Sequence, residues 1–131
     1  MKHARDPAVH SGAVHDVVSG HLRDLSAHSD VAEALLEAVA PLGDVQSYCP
    51  DPSQYRYVAV ATRGVVFGFA VGMGLIGFRL SPEFKSRALA TGAADLSQAG
   101  PDWIGINVFR PDWPEPDLKF WALRAYVYAR E

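Results

Sequence analysis

The sequence predicts an α+β fold, an antiparallel sheet with helices packed mainly on one of its faces. Three β-rich runs follow one another with only short glycine-containing turns between them, which indicates antiparallel hairpins. Segments with helical periodicity lie before and after these runs. The chain has 131 residues, 49% hydrophobic and 21% charged, which is typical of one globular domain. We therefore expect a single α+β domain over residues 11–131, preceded by a loose leader at residues 1–10.

Two helices are predicted ahead of the sheet. The first is an N-terminal helical segment at residues 11–28, in which apolar side chains recur at helical spacing. These side chains are Val14, Val18, Leu22 and Leu25. The second helix begins near Asp30, and Glu33 follows three residues later in the spacing of a capping box. Pro41 ends this helix, because proline cannot continue one.

The strands of the predicted sheet are short and rich in Val, Ile and Phe. A three-stranded meander occupies residues 56–62, 65–71 and 75–80, and further strands are predicted at residues 44–48 and 103–109. Arg63-Gly64 and residues 72–74 form the turns of the meander. Residues 72–74 belong to a G-F-A-V-G-M-G run that resembles a phosphate-binding loop. Because a strand and not a helix follows this run, we interpret it as a hairpin turn.

Two further helices follow the meander. Ser81-Pro82-Glu83 is typical of a helix start, with a capping serine, a proline at the first helical position and an acid in the first turn. This helix ends at Gly92, which suits a helix C-terminus because glycine adopts the left-handed conformation there. The terminal helix is predicted over residues 115–130.

The terminal helix is apolar on two sides. Trp121 shares one stripe with Leu118 and Ala125, so we expect Trp121 to be buried. The second stripe consists of Phe120, Leu123 and Val127. A single domain has one core, and soluble monomers rarely expose a large apolar patch. The second stripe is therefore a candidate dimer contact, and we expect the protein to be a homodimer.

The two faces of the predicted sheet differ, because side chains alternate along a strand. One face collects the large apolar side chains, among them Phe67, Phe69 and Val71, and is predicted to be the core face. The other has small residues in its middle, and the rim around them consists of Tyr57, Arg79, Trp103 and Asn107. Three interpretations of this second face stay open: the helix at residues 11–28 covers it, it is a dimer contact, or it is a surface for a ligand or partner.

Two features outside the sheet are candidates for binding. Trp113 lies in a loop between prolines, where it could anchor a partner or fold back over the sheet edge. His21, Asp24 and His28 have helical spacings that could bring an imidazole and a carboxylate to one metal. However, His21 and His28 are two turns apart, about 10 Å along a helix. We therefore expect neither a metal site nor a cofactor, and a chelator should leave the melting temperature unchanged.

Composition excludes several classes of protein. Twelve basic against fifteen acidic residues give a net charge of −3, which offers no basic excess for generic nucleic-acid binding. A single cysteine, Cys49, excludes an intrachain disulfide and favours a reducing compartment. Residues 1–18 lack the apolar centre of a signal peptide, and the longest apolar stretch, residues 64–78, is too short to span a membrane. We expect a cytoplasmic protein that does not associate with membranes.

From Arg56 to the end, the layout resembles a known family. A strand is followed by the tight turn Arg63-Gly64, and a later strand ends in Phe78-Arg79-Leu80. A helix, a strand and a closing helix follow, the last with Leu118, Trp121 and Ala125 in an L-x-x-W-x-x-x-A arrangement. This order is similar to the N-terminal domain of TfoX-like proteins. The resemblance implies a regulatory or interaction module, and it carries no catalytic residue to this chain.

We find no catalytic constellation in the sequence. The prediction is therefore a non-enzymatic regulatory or protein-interaction domain of TfoX-like type. The alternative is a small-ligand or metal-binding protein that uses the sheet face around Arg79 or the His-rich first helix.

Overall fold

The computed structural model of the protein describes residues 2–4, 29–48, 57–108 and 117–131. Its elements in chain order are β1 Lys2–Ala4, α1 Ser29–Val39, β2 Gln46–Tyr48, β3 Val58–Thr62, β4 Val65–Val71, β5 Leu75–Arg79, α2 Pro82–Ala90, β6 Ala94–Asp95, β7 Trp103–Asn107 and α3 Leu118–Ala129. The N-terminal helical segment predicted at residues 11–28 lies outside the described residues.

The strands form one sheet in the order β1-β2-β3-β4-β5-β7-β6. All neighbours pair antiparallel except β1 and β2, which are parallel. The predicted α+β class and the meander β3-β4-β5 are confirmed. β1 lies within the segment expected to be a loose leader, and it pairs with β2 at the edge of the sheet. A three-residue strand is too short to show a period of its own, so the sequence pattern did not reveal it.

The helix ends follow local chemistry. Ser81 has the extended backbone of an N-cap residue, and Pro82 occupies the start of α2 as predicted. α3 begins at Leu118, a turn later than predicted, because the Asp117 side chain accepts a hydrogen bond of 3.1 Å from the Phe120 amide. None of the helices in the described ranges has the length and apolar character needed to cross a membrane.

The main core lies between the sheet and the helices. Its buried residues are Val31, Leu35, Ala38, Val39, Val45, Val60, Phe67, Ala70, Ile76, Phe78, Leu80, Ala88, Ile104, Ile106, Trp121, Ala122, Ala125 and Ala129. They come from α1, α2 and α3 as well as from the central strands. The described helices therefore pack on one face of the sheet, as predicted.

A second apolar cluster occupies the opposite face of the sheet. This second-face cluster consists of Tyr57, Ala59, Ala61, Val66, Phe69, Val71, Leu96, Ala99 and Trp103. Leu96 and Ala99 belong to the loop between β6 and β7, and this loop packs on the sheet. The sheet is therefore buried on both faces in its centre.

A β-bulge in β4 changes which of its residues face each cluster. Val60 pairs with Gly68, whereas its neighbour Ala61 pairs with Val66. Phe67 is left without a partner of its own, which is the extra residue of a bulge. An extra residue reverses the alternation of side chains beyond it, so the two ends of β4 follow opposite patterns.

The bulge overturns part of the predicted core face. Phe67 lies in the main core as expected, but Phe69 and Val71 lie in the second-face cluster. Ala70, predicted for the second face, lies in the main core instead. The prediction was wrong for these residues because it assumed unbroken alternation from residue 65 to residue 71.

Candidate functional site

The small-residue floor of the second face is occupied by the ring of Phe69. A Cβ atom placed on Gly77 would lie 2.5 Å from Cζ of Phe69, so only glycine allows the ring this close. The Phe69 ring also packs against Trp103, with 5.0 Å between ring centroids. The middle of this face is therefore filled from within the chain.

Two of the four predicted rim residues belong to that packing. Trp103 retains only 2% of its surface exposed, and Tyr57 is also buried, with its ring 5.9 Å from that of Tyr48. Asn107 is exposed at the end of β7. These positions do not combine into one surface, because the aromatic members face the second-face cluster and not solvent.

Arg79 lies in a closed group of side chains. Its Nη2 atom is 3.8 Å from Oδ2 of Asp102, and its guanidinium stacks on the Tyr128 ring at 4.4 Å from the centroid. The Tyr128 hydroxyl donates a hydrogen bond of 3.1 Å to the same Oδ2 atom. This group joins β5, the residue before β7 and the end of α3, so Arg79 has a structural partner on each side.

The environment of Tyr128 changes its acidity. Burial raises the pKa of the phenol above its ordinary value of 10.0, and the hydrogen bond to Asp102 acts in the same direction. The guanidinium of Arg79 opposes this rise in the pKa of Tyr128, because a positive charge favours the phenolate. The neutral phenol is therefore the form that the fold favours.

The predicted dimer stripe on α3 divides into two parts. Leu123 and Val127 are each 42% exposed, which makes them two of the most exposed large apolar side chains in the described ranges. Phe120 instead packs within the chain, 4.8 Å from the Trp121 ring and 6.3 Å from the Phe84 ring between centroids. We call Leu123 and Val127 the α3 patch.

An arginine borders the α3 patch, and it was not identified from the sequence. The guanidinium carbon of Arg124 lies 4.6 Å from the centroid of the Phe84 ring and 5.5 Å from that of Phe120. Arg87 approaches the same Phe84 ring at 5.2 Å. Only the packing of α2 against α3 brings these residues together. A Phe and an Arg forty residues apart give no signal in sequence periodicity.

The remaining candidates lie outside the described ranges. These are Trp113 and the metal candidates His21, Asp24 and His28. Within the described ranges, no three His, Cys, Asp or Glu side chains come close enough together to hold a metal ion.

Comparison with known proteins adds no family to this picture. No protein-family model matches the chain, and neither a curated protein nor a solved structure matches it significantly. The TfoX-like resemblance stays a prediction that rests on the residues quoted for it.

Proposed function

We propose that this protein is a non-enzymatic, cytoplasmic interaction domain of regulatory type that works as a homodimer. The observation that supports it is the α3 patch. Leu123 and Val127 lie on adjacent turns of a helix whose opposite side is fully used by the main core. A contiguous exposed apolar surface marks a protein contact, whereas apolar side chains exposed singly are ordinary.

The alternative function, a small-ligand surface around Arg79, has weaker support. Its aromatic rim residues Tyr57 and Trp103 are buried against the chain itself. Arg79 is engaged by a carboxylate and an aromatic ring. A ligand would have to displace these intrachain partners before it could use the guanidinium.

Sedimentation velocity at micromolar concentration tests the proposal. We expect the wild type to sediment as a species of twice 14.2 kDa, and the double variant Leu123→Ser/Val127→Ser to sediment as a monomer. The control is Met73→Ser, which removes a side chain that is 73% exposed in the β4-β5 turn, away from the patch. This control should remain dimeric. A wild type found only near 14.2 kDa would contradict the proposal.

A further inference from the structure

Two helices of the layer that covers the sheet, α1 and α3, carry opposite charges. α1 has the sequence SDVAEALLEAV, with Glu33 and Glu37 exposed and no basic residue. α3 has the sequence LKFWALRAYVYA, with Lys119 and Arg124 and no acidic residue. The asymmetry is local, because the chain as a whole is close to balanced.

These helices lie side by side on the same face of the sheet. The Tyr126 hydroxyl of α3 donates a 2.6 Å hydrogen bond to the carbonyl of Gly43, a few residues after the end of α1. Just beyond α3, Arg130 lies 3.3 Å from the carboxylate of Asp44. The C-terminal ends of α1 and α3 are therefore neighbours, and the two helices pack against each other.

The charged residues of α1 point away from the sheet. Val31, Leu35 and Val39 form its buried stripe, and Glu33 and Glu37 lie on the opposite side of the helix. α3 is arranged in the same way, with its alanines toward the sheet and the α3 patch away from it. The outer surface of the two-helix layer is therefore acidic along α1, and apolar and basic along α3.

The basic side chains of α3 have no acidic partner in the described part of the chain. Arg79, Lys85 and Arg130 each pair with a carboxylate there. Arg124 stacks on aromatic rings, and its buried Nε atom has no hydrogen-bond partner among the described residues. Because this stacking orients the guanidinium, little freedom is lost when a carboxylate binds it.

We propose that two copies of the chain pair through this helix layer, with α1 of each copy against α3 of the other. A two-fold axis parallel to the helices gives this arrangement. It covers both α3 patches. At each of the two contacts, Glu33 and Glu37 of one copy lie opposite Lys119 and Arg124 of the other. An axis perpendicular to the helices would place α3 against α3, where like charges repel one another. This inference rests on the proposed homodimer and specifies its geometry.

Charge reversal on the two helices tests the arrangement. One double variant is Glu33→Lys/Glu37→Lys, and the other is Lys119→Glu/Arg124→Glu. Each alone brings like charges together at both contacts, so we expect each to sediment as a monomer at a concentration where the wild type is a dimer. An equimolar mixture restores opposite charges at both contacts, so we expect it to form a heterodimer. Far-ultraviolet circular dichroism confirms that each variant is folded.

Single-residue variants keep the arrangement testable if a double variant fails to fold. The single changes Glu37→Lys and Lys119→Glu alter exposed side chains and should each weaken the dimer at least about tenfold, with recovery on mixing. Arg63→Glu, in the β3-β4 turn, is the charge-matched control and should leave the dimer unchanged. A dimeric wild type whose charge variants all remain dimeric, or whose folded variants fail to recover on mixing, would overturn this arrangement but not the homodimer. A monomeric wild type would overturn both.

Discussion

At the scale of single residues, the second face of the sheet depends on the contact between Phe69 and Gly77. The bulge at Phe67 turns Phe69 toward this face, where its ring lies over Gly77 and against Trp103. Phe69 and Trp103 are almost completely buried there. Any side chain at residue 77 must displace the Phe69 ring, and the ring cannot move without disturbing the tryptophan.

Gly77→Ala tests this contact. The new methyl group overlaps the Phe69 ring, and overpacking in a closed cluster costs about 1–3 kcal/mol. This exceeds the roughly 0.4–1 kcal/mol that alanine gains by restricting the unfolded chain. We therefore expect a net loss of stability in denaturant unfolding. Gly43→Ala is the matched control, since no atom lies within 4 Å of the added Cβ there. Equal stabilities of the two variants would contradict the contact.

Tyr128 makes the free energy of unfolding depend on pH in the alkaline range. Its pKa in the folded chain lies above the ordinary value of 10.0, mainly because of burial and also because of the bond to Asp102. A raised pKa of this acid means that the folded state favours the neutral phenol. The stabilisation by Tyr128 is therefore complete below the unfolded pKa of about 10 and is lost as the pH rises through the folded pKa.

Tyr128→Phe should remove this dependence. We expect the variant to lose less stability than the wild type between pH 9 and pH 11, as measured by the denaturant midpoint at each pH. Asp102→Asn removes the carboxylate but keeps the burial of Tyr128. Its loss of stability over this pH range should therefore lie between those of the wild type and Tyr128→Phe. Parallel profiles for the wild type and Tyr128→Phe would show that Tyr128 is not responsible.

At the scale of elements, α3 organises the main core. Trp121 is 8% exposed, which confirms the predicted burial, and its neighbours on the core side are the buried alanines of the same helix. Small residues there let the helix approach the sheet closely, and the tryptophan then supplies most of the buried volume. Removing that volume leaves a cavity that alanines cannot fill.

Trp121→Ala should therefore destabilise the protein by about 3–5 kcal/mol, as large truncations in a core do. Equilibrium unfolding in urea measures the loss. Leu89→Ala on α2 is the control, since Leu89 is 38% exposed and surface substitutions usually change stability by no more than about 0.5 kcal/mol. Similar losses in the two variants would place Trp121 outside the core.

The elements that could be predicted are those whose signal is local. The start of α2 at Pro82, the end of α1 near Pro41 and the meander turns all follow from glycine and proline chemistry at known offsets. The bulge at Phe67 was not predicted, because one unpaired residue leaves the run of apolar residues unchanged. It nevertheless reverses which face of the sheet the following side chains point to. β6 was not predicted, because a strand of two residues is too short to show an alternating pattern.

The candidate surface was predictable only in part, for the same reason. Leu123 and Val127 stand out from the helical period of one segment. Arg124 gains its role from Phe84, which belongs to another helix. The acidic side of α1 becomes relevant only because α1 packs beside α3. Such relations between elements are tertiary, so periodicity within one element cannot reveal them.

At the scale of the whole molecule, the described domain buries both faces of its sheet and leaves one charged and apolar surface on its helix layer. Together, the main core and the second-face cluster bury both faces of the central strands. What remains outside is the α3 patch with its basic neighbours and the acidic side of α1. In the proposed homodimer, a second copy covers that surface, and its burial adds to the stability of the fold.

The proposed homodimer should make thermal stability depend on protein concentration. Association adds to the free energy of unfolding by mass action, and a hundredfold rise in concentration above the dissociation constant contributes about 2.7 kcal/mol per dimer, or about 1.4 kcal/mol per chain. That corresponds to a rise of several degrees in the melting temperature for a domain of this size. Because opposite charges hold the proposed interface, the rise should shrink as salt is added. Leu123→Ser/Val127→Ser should melt at one temperature at every concentration, and a wild type that does the same would show that no second copy covers the α3 patch.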